Sequence, residues 1–264
     1  MTGVPDFLES ALTPARWPAF VLLTGRVGGL MLTAPGWSGQ TLPATVRTVL
    51  TVLLAVLLLP AVPAVAMPDH VLDLPLPMAA EIAIGLVIGL AAAVLVQAVG
   101  LAGEVISMQM GLSIAPALSP VPEMQVVGLG QVSTLLALVI YMSLGGHVIL
   151  LRALADSLRS LPPGGGIEFA GGGPAATALA GQLFSCAVSA AAPVMVALLL
   201  ANIALAILSR AVPQLNAMMV SFPVTIGIGL LMFSVSLPVV SSVVARWIQA
   251  LPGAIDGLLV PLQH

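Results

Sequence analysis

Lysine is absent from this chain of 264 residues: its 7 basic residues are all arginines, and together with 10 Asp and Glu they make only 6% of the sequence charged. A soluble domain of this length carries about 25% charged residues, roughly 66, to cover its surface with groups that water solvates. An ordinary soluble globule is therefore excluded. Disorder is excluded too, since disordered chains are poor in apolar residues and 59% of this one is hydrophobic. A net charge of -3 without basic clusters argues against a nucleic-acid partner, because phosphate binding needs a basic face. The one cysteine, Cys186, makes no intrachain disulfide, and no Cys and His residues have zinc-site spacing. HExxH, GxSxG and GxxxxGK[ST] are missing, as are paired intramembrane acids suited to proton transfer. Neither an enzyme nor a cofactor is expected. The first ten residues, MTGVPDFLES, lack the positive n-region of a secretory signal, so the first apolar segment is expected to be retained.

What is present is long uncharged runs: Thr48 to Pro68, Ile82 to Gly103, Met124 to Leu151, Phe169 to Ser209 and Ala211 to Ala245. Each can supply the about 20 apolar residues that cross a bilayer core as a helix. An earlier segment, Trp17 to Ala34, is interrupted by Arg26. The pattern predicts an all-α membrane protein with about six hydrophobic, proline-kinked helices, near residues 17-34, 46-62, 79-102, 126-151, 178-208 and 217-245. The last two suit a helical hairpin. Continuous rather than alternating apolarity speaks against a β-barrel. Arg16, Arg152, Arg159 and Arg246 fall on one side of a six-span arrangement, against Arg47 and Arg210 on the other, a thin lean towards cytoplasmic termini.

Several residues break the rules of a simple bundle. Pro193, Pro223 and Pro238 lie inside apolar runs, with Gly227 and Gly229 nearby. A proline frees backbone carbonyls that lipid cannot satisfy, so it persists where protein or a wet cavity does so. Such breaks fit kinked helices in an ordinary bundle or helices packed into a larger assembly. Gly85 and Gly89 form a GxxxG, which permits close helix approach and signifies nothing more specific. Arg26, Glu81, Glu104 and His147 are ionisable residues near membrane depth and hence functional candidates. For Glu81, Glu104 and His147 the plainer reading is an interfacial position. Arg26 is expected to pair with an acid or to cap carbonyls of a neighbouring helix. The stretch from Glu104 to Glu123 is too short and too polar for another span, and reads as a loop with Met108 and Met110 around Gln109, then Gly111, Pro116, Pro120 and Pro122. Flexible, polarizable methionines can fill a channel and repack around a passing chain, although a plain re-entrant loop fits equally.

In order along the chain, Arg26, Gly28, Pro35, Pro43, Arg47, Glu81, Gly85, Gly89, AGEVISMQMGLS (102-113), GGH (145-147), Ser157, Pro162 and SRAVPQLNAMMVSFPVTIGIGL (209-230) resemble the FliR family of flagellar export-gate proteins. The injectisome counterpart of that family is SctT. The AGE…MQMG and PQLN…FP blocks are the specific ones. The resemblance implies a non-enzymatic subunit of a hetero-oligomeric type III protein export gate in the bacterial inner membrane. Its partners would be FliP and FliQ homologues, with FlhB and FlhA, and unfolded proteins would be its cargo. It also implies a FliP-like part at 1-176 and a FliQ-like helical hairpin at 177-264. By position, the loop that plugs the closed channel in the family corresponds to Met108, Gln109, Met110, Gly111, Leu112, Ser113, Ile114, Ala115 and Pro116. A soft apolar seal suits a conduit that passes unfolded chains and holds back ions. Packing and assembly roles would fall to Arg26, Arg47, Gly85, Gly89, Glu104, His147, Pro213, Gln214, Asn216, Phe222 and Pro223. Ser119-Pro120 and Thr225 depart from the Asp-Pro and Lys common in the family. The competing expectations are an injectisome subunit and a small-solute secondary transporter; the latter usually shows paired repeats and mid-membrane coupling charges.

Overall fold

The computed structural model describes residues 13, 16–38, 42–63, 65, 74–112, 128–165, 172–212 and 217–259, and among these residues seven α-helices account for most of the chain. They are α1 (Trp17–Thr33), α2 (Ala44–Leu58, extended by a 3-10 turn Leu59–Ala61), α3 (Pro75–Gln109), α4 (Leu129–Ser143), α5 (Gly146–Ser160), α6 (Gly172–Ala211) and α7 (Ala217–Leu259). No strand occurs among the described residues. Pro18 in the first turn of α1 and Pro43 just before α2 occupy the helix-start positions where a missing N–H costs nothing. Among the described residues four helical stretches are long and apolar enough to cross a membrane: Ala44–Ala61, Pro75–Gln109, Thr177–Ala211 and Val220–Leu259. The chain is thus an all-α, multi-pass membrane protein.

The spans differ in detail from the expected six. The stretch near 126-151 is broken: α4 ends at Ser143 and α5 begins at Gly146. Gly145 makes the turn with φ +74°, a left-handed backbone that glycine adopts without steric cost. α1 has only 17 residues, shorter than a full crossing. α3, α6 and α7 overrun their apolar segments, because Glu104 and Arg246 end a hydrophobic run without ending a helix, both residue types being good helix formers. α6 continues through Pro193, and α7 through Pro223 and Pro238.

The residue contacts divide the chain into two units. The first comprises Met1–Ala93, Gly145–Leu179 and Ile248–His264. Within it α1 is buried nearly all round, from Ala19 and Leu22 through Val27 to Leu30 and Met31. It crosses α3 backbone to backbone. A Cβ on Gly85 would strike the Arg26 carbonyl and the Leu30 amide, and one on Gly29 would strike the Ile82 carbonyl. At Gly89 the space is taken by Thr33, whose hydroxyl donates to Leu86 O of α3 at 3.2 Å. Lipid tails are as apolar as Leu, so helix association in a membrane depends on such close packing and interhelical hydrogen bonds.

The second unit comprises Val94–Leu144 and Ala180–Trp247. Here α3 and α4 approach through Gly100 against Thr134, Gly103 against Ser133, and Gly130 against the Glu104 side chain. Ser133 and Thr134 donate back to Leu129 O (2.7 Å) and Gly130 O (2.9 Å) of their own helix, so their hydroxyls are satisfied at the contact. The core gathers Ala102 and Ile106 of α3, Met110 just after it, Leu129 of α4 and Ala190, Val194 and Leu198 of α6. Ile226, Met232 and Phe233 of α7 pack against it.

Candidate functional site

Two groups of candidate residues stand out, one in each unit. In the first, α1 carries Arg26 inward, fully buried, against Glu81 of α3, itself only 2% exposed. Arg26 Nε donates to Glu81 Oε2 at 2.6 Å. Nη1 donates to Ser157 O (3.0 Å) and Ser157 Oγ (3.3 Å), and Nη2 to Leu161 O (2.9 Å). The other carboxylate oxygen, Glu81 Oε1, accepts the Gly164 N–H at 3.2 Å. A buried charge pair persists only when its other polar atoms find partners, and here each guanidinium nitrogen and both carboxylate oxygens have one. Ser157 to Leu161 is the C-terminal turn of α5, where the helix dipole favours a cation, and Ser157 O accepts the Leu161 N–H as well as the guanidinium. Arg26 therefore both pairs with an acid and caps a helix end, as expected of it. Glu81 is buried within the unit, with its charge opposed by the Arg26 guanidinium.

Other candidates lie apart from this cluster. Arg47 of α2 is half-buried beside an open cavity of about 380 Å³ lined by Gly25, Gly28, Thr48, Thr51 and Met78 among others. Glu104 is exposed on its helix, with its carboxylate against Gly130. His147 follows the Gly145 turn, half-buried, with a buried Nδ1. Pro213, Gln214 and Asn216 lie outside the described residues, as do Ser113, Ile114, Ala115 and Pro116. Among the described residues no three His, Cys, Asp or Glu side chains gather where they could hold a metal ion.

The second group is the methionine run. The predicted loop from Glu104 is helix as far as Gln109, since nothing before Gly111 interrupts the hydrogen-bond ladder. Met108 points outward, 63% exposed, while Met110 is buried at 1%. Gly111 then ends the helix with φ +78°. Its neighbour is the Phe222 ring of α7, and Pro223 beside it is exposed. Two α7 residues that meet Met110 carried no such signal in the sequence. Thr225 donates to Met110 O at 3.4 Å, and Gly229 lies against the Met110 side chain. Gly229 reads in sequence as a helix breaker, and its contact spans 119 positions, beyond any local pattern.

Residues 17–251 match the family described as bacterial export proteins, family 1. The chain belongs to that family. Curated relatives bear the name flagellar biosynthetic protein FliR. That of Escherichia coli strain K12 is 29% identical over 225 residues, covering 85% of this chain and 84% of the relative. The Pectobacterium carotovorum protein is 31% identical over 226 residues, with 85% and 84% covered. The Bacillus subtilis protein is 30% identical over 234 residues, with 86% and 89% covered. The family match thus takes in both groups of candidate residues, from Arg26 to Gly229.

Proposed function

We propose that this chain is the FliR-type subunit of the flagellar export gate, and that the end of α3 with the residues after it helps seal the conduit. Membership of the export family and flagellar relatives make it a component of the flagellar export apparatus, and the injectisome and small-solute transporter readings are not favoured. On this reading it works without catalysis in the bacterial inner membrane. It packs with FliP and FliQ homologues, meets FlhB and FlhA, and passes unfolded proteins. Residues 1-176 act as the FliP-like part and 177-264 as the FliQ-like hairpin.

The observation that carries the sealing role is the exposed Met108 at the end of α3, two residues before a buried methionine and three before the glycine that ends the helix. A flexible apolar side chain there can fill a gap and yield to a passing polypeptide without offering ions a binding site. Deleting Gly111 to Ala115 is expected to make cells with assembled gates leak ions. Unchanged conductance in gates that still contain the subunit removes the sealing role. Purification through a tag on this chain is expected to bring two smaller apolar membrane proteins with it; recovery of the chain alone contradicts the assembly.

A further inference from the structure

We propose that Met110, Thr225 and Gly229 form a releasable latch, which holds the base of the sealing segment on α7 at rest and opens during export. The inference rests on the sealing role above and assigns positioning residues to it. All three residues lie in the second unit.

The latch has a knob, a hole and one shared proton. The knob is the Met110 side chain, and the hole is Gly229: a Cβ there would lie 2.6 Å from both Cγ and Sδ of Met110. No larger residue at 229 leaves the methionine where it is. The proton is that of Thr225. Its hydroxyl lies 3.4 Å from Met110 O, but also 2.9 Å from Ser221 O and 3.2 Å from Phe222 O in its own helix. A hydroxyl has one hydrogen to donate, so the three carbonyls compete for it. The closest acceptor is not Met110. When the chain at Met110 moves away, Thr225 keeps a bond within α7, so release orphans no donor on the α7 side. Gly111, in left-handed backbone against Phe222, places the pivot next to the knob. A methionine gripped by shape and one transferable hydrogen bond can leave and return, whereas a charged pair such as Arg26 with Glu81 cannot.

A cysteine pair tests this in the assembled gate. Met110 Cβ is one bond beyond an atom 2.6 Å from the Cβ position at 229. The two Cβ atoms therefore lie no more than about 4.1 Å apart, below the roughly 4.5 Å upper limit of a disulfide. Met110→Cys with Gly229→Cys, in a Cys186→Ala background, is expected to cross-link within the chain on oxidation. Export should then fall at least tenfold and recover when dithiothreitol is added. Full export through cross-linked gates, or no cross-link in assembled gates, overturns the latch. Where the double variant fails to export even when reduced, single Met110→Cys serves instead. Its maleimide labelling should be several-fold faster in gates occupied by a stalled substrate than in resting gates, and equal rates overturn the proposal. The deletion of Gly111 to Ala115 is read separately by ion leak. A leaking deletion with export indifferent to the cross-link keeps the seal and removes the latch. A non-leaking deletion with export that is switched by the cross-link removes the seal and leaves a moving contact.

Discussion

A single buried arginine organises the first unit. Arg26 reaches Glu81, the end of α5 and Leu161 at once, so its removal leaves a carboxylate in the interior without a counter-charge. Breaking one side of a buried pair costs about 3–5 kcal/mol, whereas replacing both sides by apolar residues of similar volume is often neutral. Arg26→Met and Glu81→Leu are each expected to lower the thermal stability of the purified gate markedly. The double variant should be more stable than either single one. Additive losses in melting experiments would show that the two side chains do not act as a pair. The sequence made Arg26 a candidate for pairing because charge is so scarce in an apolar run. It gave no means of choosing among acids, since Glu81 lies 55 positions away and the carbonyls it joins are more than 130 away.

Helices in this protein meet at glycines, and the glycines are not equivalent. Gly85→Ala would place a methyl on the Arg26 carbonyl and force α1 from α3. Gly28→Ala, five residues before Thr33, meets only the Thr51 methyl at 3.8 Å, an ordinary contact. The first is expected to abolish accumulation of folded protein in membranes and the second to leave it unchanged, a contrast that immunoblotting of membrane fractions checks. Gly145→Ala belongs to a third class: nothing lies within 4 Å of its Cβ position, but its φ of +74° costs a side-chain-bearing residue about 1–2 kcal/mol. Its stability loss should be of that size, read as a lower melting temperature without loss of assembly. The GxxxG of Gly85 and Gly89 was visible as a pattern, whereas the partner helix was not. Gly29, which completes the crossing, forms a second GxxxG with Gly25 on α1.

The molecule as a whole is marked by how little of its apolar surface it covers. In the most apolar stretch of α3, 56% of residues are buried within the chain, against 17% in that of α6. Val188, Leu200 and Ile207 of α6 and Leu231 and Val235 of α7 are all exposed. Contiguous apolar faces on this scale need lipid or other subunits. Co-expression with FliP and FliQ homologues is expected to raise the yield of monodisperse protein in detergent several-fold over expression alone. Equal yields would argue that lipid suffices.

Composition and the spacing of charges determined the class: 6% charge and uncharged runs of more than twenty residues leave a helical membrane protein as the physical solution, because backbone groups in hydrocarbon must be satisfied within the segment. Local chemistry also marked the methionine run and Gly111. Tertiary structure alone decided that Glu81 faces Arg26, that the helix is interrupted at Gly145, and that Gly229 receives Met110. Those contacts join positions far apart in the chain, and their worth depends on steric fit and on desolvated charge, neither of which a single residue carries by itself.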